Sequence, residues 1–70
     1  METKKITVSG MTCGHCVGAV TEELTSIDGV QDVQIDLVAG GDSPVTITSD
    51  APIADADIAA AVDEAGYQLA

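Results

Sequence analysis

Two cysteines three positions apart are the residues of this sequence that are best suited to chemistry. They stand in the string Cys13-Gly14-His15-Cys16, which begins in a loop and enters the first turn of a predicted helix. Residues at positions i and i+3 of such a turn can direct both sulfurs to one point. Unpaired backbone N–H groups and the positive end of the helix dipole favour the thiolate form there. Because thiolates are soft ligands, the pair predicts a site for a soft metal ion such as Cu(I).

The number of ligands favours metal transfer over a structural metal. A structural zinc site takes four protein ligands, and this chain has two cysteines and no second pair. Two thiolates satisfy Cu(I) in near-linear geometry and leave room for an incoming third ligand. Other soft or borderline ions, namely Zn(II), Hg(II) and Ag(I), have related chemistry. Thiol–disulfide exchange is the alternative, because the same cysteine spacing also occurs in redox motifs.

Three further residues are candidates for auxiliary roles at the metal, and each has a structural alternative. His15 either points to solvent or acts as a third ligand to Cu(I) or Zn(II), including across a dimer that shares the metal. Met11 is either a buried anchor of the loop or a transient thioether ligand. Tyr67 either shields the loop or acts beside the metal, by hydrogen bonding or by limiting the access of solvent.

Hydrophobic periodicity predicts the elements that must position these residues. Gly29 suits the left-handed C′ position of the first helix, and Gly66 stops the second. Pro44 fits the start of a strand, where no ladder donor is needed. The predicted elements are a strand over 3–8, a helix from Cys16 towards Gly29, a strand over about 30–37, a Gly-rich turn over 39–43, a strand over 45–48, a helix along Ile58, Ala61, Val62 and Ala65, and a short edge strand over 67–69.

The order of these elements predicts an α+β, ferredoxin-like βαββαβ fold. Right-handed crossovers give a four-stranded antiparallel sheet with both helices on one face. The same topology places the loop of Cys13, the hairpin over 39–43 and the turn before Tyr67 at one end of the domain. We therefore expect Tyr67 to lie close to the cysteine loop.

The composition limits the partners and the location of the protein. Twelve acidic residues stand against Lys4 and Lys5, giving a formal net charge of −10, which excludes charge-driven binding to nucleic acid or anionic lipid. The acidity is either a general solubility feature or a docking face for a basic partner. No apolar run approaches the roughly 18 residues of a membrane span, and no signal-peptide pattern follows the N-terminus. We expect one domain over residues 1–70 in the cytoplasm, where thiols stay reduced.

The string Gly10-Met11-Thr12-Cys13-Gly14-His15-Cys16, directly after the first strand, resembles the heavy-metal-associated domain family and, within it, the bacterial-type copper chaperones. The resemblance extends over essentially the whole chain, including the helix that ends at Gly29-Val30 and the turn Ala65-Gly66-Tyr67. It implies that Cys13 and Cys16 are the metal ligands, that Met11 packs beneath the loop, and that Tyr67 lies near the metal, where many eukaryotic relatives carry a lysine.

The resemblance implies a metal carrier and not an enzyme. Its expected role is delivery of Cu(I) to a copper-exporting P-type ATPase or to a copper-responsive regulator, as a monomer or as a metal-bridged dimer. Three alternatives stay open: a metal-binding module of a larger ATPase, a mercury carrier with a similar loop, and a small thiol–disulfide redox protein. The position of Met1 two residues before the first predicted strand, and of Ala70 just past the last, favours a free-standing protein, and the lack of a signal-peptide pattern disfavours an exported mercury carrier.

Overall fold

The alternating and helical patterns of the sequence form six elements in the predicted order. The computed structural model describes all residues, 1–70. None of its helices has the length and apolarity needed to cross a membrane. The elements are β1 Glu2–Ser9, α1 Gly14–Thr25, β2 Val30–Ile35, β3 Asp42–Ser49, α2 Asp55–Glu64 and β4 Gln68–Leu69.

The four strands form one antiparallel sheet in the order β2-β3-β1-β4. β1 and β3 pair along their whole lengths, from Glu2 opposite Ser49 to Ser9 opposite Asp42. β4 pairs only with the end of β1, at Val8 and Ser9. The two helices contact each other and share one core with the sheet. This arrangement confirms the predicted ferredoxin-like fold.

One aliphatic core holds the helices on the sheet. Its side chains come from both helices, from the central strands β1 and β3 and from the first loop, and the chain has no Phe or Trp. Leu24 and Ile47 are both completely buried, and full burial of such a side chain contributes about 1.5–3 kcal/mol. The nine core residues are Val8, Met11, Val20, Leu24, Val45, Ile47, Ile58, Ala61 and Val62.

The second helix ends at a left-handed glycine, as the sequence predicts. Gly66 has a φ of +91°, and its N–H donates to the carbonyl of Asp63 at 2.9 Å. The N–H of Tyr67 donates to the carbonyl of Val62 at 3.1 Å. These two bonds form a Schellman motif, which ends the helix and fixes the direction in which the chain leaves it. Tyr67 is positioned by this motif, and β4 begins one residue later than predicted, at Gln68.

The first helix ends earlier than the sequence predicts. It stops at Thr25, where the hydroxyls of Thr25 and Ser26 donate to carbonyls of the preceding turn. The N–H of Ile27 donates to the carbonyl of Leu24 at 3.2 Å, three residues back, so the α-helical bonding pattern ends here. The predicted C′ role of Gly29 is therefore wrong. Gly29 lies in the turn before β2, with a φ of +93°, and a Cβ there would be 2.8 Å from Oδ1 of Asp50.

The bounds of β2 and β3 also differ from those that the hydrophobic periodicity predicts. β2 ends at Ile35, although the alternation continues to Leu37, and β3 begins at Asp42, before Pro44. The N–H of Asp36 donates to the carbonyl of Pro44 at 3.0 Å, but Pro44 has no N–H with which to return the bond. The ladder between the two strands ends here for that reason, and the predicted strand start at Pro44 is wrong.

Three segments that are distant in the sequence meet at one end of the fold. In the hairpin between β2 and β3, the N–H of Gly40 donates to the carbonyl of Met11 at 3.0 Å. A Cβ at Gly10 would lie 3.7 Å from Cδ1 of Tyr67, so the first loop also contacts the segment after α2. The structure thus confirms the convergence that the topology predicts.

Candidate metal-binding site

The first loop and the start of α1 hold two cysteine sulfurs side by side. Cys13 is the N-cap residue of α1, with extended backbone at φ −157° and ψ 177°, and Cys16 lies in the first turn. Both thiols are free, and their Sγ atoms are 3.8 Å apart. A disulfide bond is about 2.05 Å long, whereas two metal–thiolate bonds of about 2.3 Å span up to ~4.6 Å. The separation of the sulfurs therefore fits one metal ion held between them.

The two cysteines differ in their surroundings. Cys13 is exposed, whereas Cys16 is half-buried and packs against the core. The backbone N–H groups of Cys16 and Val17 both donate to the carbonyl of Cys13, at 3.1 and 3.3 Å, which ties the loop to the first turn of the helix. Cys13 is consequently the more accessible of the two residues.

Hydrogen bonding lowers the pKa of Cys16 from its ordinary value of 9.0 to about 6. The largest cause is a backbone hydrogen bond from Thr12, followed by hydrogen bonding from the Tyr67 hydroxyl and from the backbone of Cys13, while partial burial opposes them. The first turn of α1 contains no acidic residue that would cancel the positive end of the helix dipole. At neutral pH, Cys16 is therefore mostly a thiolate, which is the form that binds metal.

Tyr67 reaches this thiolate from the opposite end of the chain. The pKa of Tyr67 is raised above 10.0, chiefly because its hydroxyl hydrogen-bonds to Cys16, with burial and the negative charges of Cys16 and Cys13 adding to the effect. The phenol thus keeps its proton at neutral pH. The structure places Tyr67 beside the cysteines, and its role towards a bound metal stays a prediction.

Thr12 is a site residue that the sequence reasoning missed. Its Oγ1 lies 3.8 Å from Sγ of Cys16, and its backbone makes the largest contribution to the lowered pKa of that thiol. The one signal in the sequence is its place directly before Cys13. Residue type does not reveal this contact, because the conformation of the loop directs a backbone group at the sulfur.

His15 and Met11 differ in their exposure. His15 is exposed in the first turn of α1, and Met11 is completely buried in the core. Nowhere do three or more His, Cys, Asp or Glu side chains form a group that could hold a metal ion. Cys13 and Cys16 are thus the donor pair that the fold brings together, and the auxiliary roles of His15 and Met11 stay predictions.

This fold with its cysteine loop defines a known class of protein. The family model described as "Heavy-metal-associated domain" matches residues 5–68. The chain belongs to this family. The resemblance seen in the loop motif is thereby confirmed.

The similarity to individual proteins extends over their whole length. The chain is 41% identical to "Copper chaperone CopZ" of Bacillus subtilis, covering 100% of this chain and 99% of the relative. It is 33% identical to "Copper chaperone CopZ" of Staphylococcus aureus, covering 99% and 98%. The solved structure "CopZ metallochaperone" matches with a TM-score of 0.84 and 31% identity, over 99% of this chain and 100% of the other. The likeness therefore includes the complete fold and is not confined to the cysteine loop.

Proposed function

We propose that this protein is a cytoplasmic, single-domain copper chaperone in which Cys13 and Cys16 bind one Cu(I) ion. The observation that carries the proposal is the pair of sulfurs 3.8 Å apart at a helix N-terminus, with the pKa of Cys16 lowered to about 6. Thiolates are the soft ligands that Cu(I) prefers. The names of the relatives in Bacillus subtilis and Staphylococcus aureus support copper as the cargo.

The receiving partner is a copper-transporting P-type ATPase or a copper-responsive regulator, and transfer proceeds by ligand exchange. A thiolate of the partner binds the Cu(I) ion beside Cys13, which makes the ion three-coordinate. The bond to Cys13 then breaks, and a second partner ligand replaces Cys16. We expect Cys13 to be replaced first, because it is exposed to an incoming ligand, whereas Cys16 is half-buried and packs against the core. Copper stays Cu(I) throughout, so no electron acceptor is required.

Anaerobic titration of the reduced protein with Cu(I), in competition with a chelator, tests the binding step. We expect one Cu(I) ion per chain, with sulfur ligands in the X-ray absorption spectrum. Cys13→Ser and Cys16→Ser should each abolish competitive binding, and Gln31→Ala, exposed on β2, serves as a control outside the site. An unchanged stoichiometry in Cys16→Ser would contradict the proposal. His15→Gln and Met11→Leu, measured in the same way, show whether either side chain contributes to affinity.

Two assays test the carrier role. The copper-loaded protein is mixed with the cytoplasmic metal-binding domain of a copper-exporting ATPase from the same organism, and copper is measured on each protein after separation. We expect copper to move to the acceptor in the presence of a chelator that would trap released ions. The apo-protein is also assayed as a disulfide reductase. Turnover of a disulfide substrate without affinity for Cu(I) would establish the redox alternative instead.

A further inference from the structure

A groove between the two helices lies apart from the metal site. It is open to solvent, has a volume of about 610 Å³, and is formed by the end of α1, by the connection over 52–54 and by one face of α2. None of residues 10–16, and not Tyr67, lines it. Its apolar lining includes half-buried Ile27 and Ile53 on one side and exposed Ala60 on the other. The groove therefore combines partly exposed aliphatic side chains with charged ones.

The rim of this groove is acidic on both sides. Glu23 and Asp28 stand on the side of α1, and Asp57 and Glu64 stand on the side of α2. Neither helix contains a Lys or Arg. The ion pair of the chain joins Lys4 of β1 to Asp55, outside the groove. The four rim carboxylates consequently have no cationic partner within the chain.

The charges at one end of the groove oppose the dipole of α1. The C-terminal end of a helix carries partial negative charge, so a cation there is stabilising and an anion is not. The last turn of α1 has no basic residue, and it carries Glu22 and Glu23, with Asp28 in the turn that follows. A positive charge supplied from outside would interact favourably with the helix end and with these carboxylates together.

We propose that this groove binds a basic amphipathic segment of a protein partner. Aliphatic side chains of the segment would pack on Ile27, Ile53 and Ala60, and its Lys or Arg side chains would meet the acidic rim. The twelve residues of α1 span about 18 Å, so the end of α1 at the groove lies far from Cys13. A partner held there leaves the cysteines accessible, and it keeps a metal acceptor at high effective concentration when both belong to one protein. Binding at this surface does not require copper, so it can be tested separately from the proposed copper cargo.

An NMR titration of the isotope-labelled, reduced apo-protein tests this surface. The probe is a synthetic peptide of about 14 residues with Lys and Leu at helical spacing, which has one cationic and one aliphatic face. We expect chemical-shift changes at Ile27, Ile53 and Ala60. Ala60→Gln, which places a longer side chain in the groove, should weaken binding about tenfold, whereas Ala59→Gln, exposed on the same helix outside the groove, should change it less than about twofold.

Matched charge variants separate the groove from general attraction to an acidic protein. Glu23→Gln/Asp57→Asn removes two rim charges, and Asp32→Asn/Asp36→Asn removes two charges at the other side of the fold. The rim pair should weaken binding several-fold more than the control pair. Equal weakening by the two pairs, equal binding of a peptide with the same composition in scrambled order, or shift changes centred on the cysteine loop would each overturn the proposal.

Discussion

Replacing Tyr67 by Phe is expected to raise the pKa of Cys16, because the change removes the hydroxyl that bonds to the sulfur and keeps the ring. This hydrogen bond is the second largest cause of the lowered pKa, after the backbone bond from Thr12. The bonds from Thr12 and Cys13 remain in the variant. The pKa should therefore rise from about 6 without reaching the ordinary value of 9.0.

The size of the effect at neutral pH follows from the ionised fraction of the thiol. A thiol with a pKa of about 6 is roughly 90% thiolate at pH 7, whereas a thiol with a pKa of about 9 is roughly 1% thiolate. Alkylation by iodoacetamide requires the thiolate. The alkylation rate of Cys16 at pH 7 should therefore fall several-fold in the Tyr67→Phe variant, and it should recover as the pH is raised.

The measurement is cleanest in a Cys13→Ser background, which leaves a single thiol and therefore one titration step. Ultraviolet absorbance of the thiolate and the rate of alkylation are recorded against pH for this variant and for the same variant with Tyr67→Phe. Circular dichroism verifies that both are folded. Identical titration curves would refute the role of the hydroxyl, and a pKa near 9 in both proteins would refute the stabilised thiolate itself.

Three further predictions concern the scaffold of the site. Leu24→Ala removes a completely buried side chain and should lower the free energy of unfolding by about 2–5 kcal/mol, as measured by urea denaturation; an unchanged midpoint would contradict its place in the core. Gly66→Ala puts a Cβ on a residue with a φ of +91° and should cost about 1 kcal/mol, whereas Gly14→Ala, which has open space and no left-handed backbone, should not; equal losses in the two variants would argue against the helix end described. Cys16 has a folded pKa of about 6 and an ordinary, unfolded value of 9.0, so between these values the unfolded chain binds more protons and the stability of the reduced apo-protein should rise with pH. This stabilisation is complete above about pH 9 and is lost as the pH falls towards 6; thermal denaturation that gave the same pH slope for Cys16→Ser would contradict it.

Much of the fold could be predicted because burial imposes periodicity on the sequence. Val8, Val45 and Ile47 alternate with polar residues along their strands, and each is buried. Gly66 was predictable as a helix stop because few other residues adopt its backbone conformation without strain. The approach of Tyr67 to the cysteine loop then followed from the handedness of the crossovers, which leaves one arrangement of the elements.

The remaining features depend on individual hydrogen bonds that periodicity does not encode. α1 ends at Thr25, where the N–H of Ile27 bonds to the carbonyl three residues back, although the apolar spacing continues to Ile27. The end of β2 is set by the missing N–H of Pro44 on the neighbouring strand. The contact of Thr12 with Cys16 arises from the conformation of a loop, which no pattern of residue types specifies.

The two cysteines of the candidate metal site differ in packing and in solvent exposure. Cys16 packs against the core and receives hydrogen bonds from Thr12 and Tyr67, so its thiolate is stabilised before any metal arrives. Cys13 lies at the N-cap, exposed to solvent. Because ligand exchange needs one bond that holds the ion and another that yields to an incoming ligand, this asymmetry suits a site that passes its metal on.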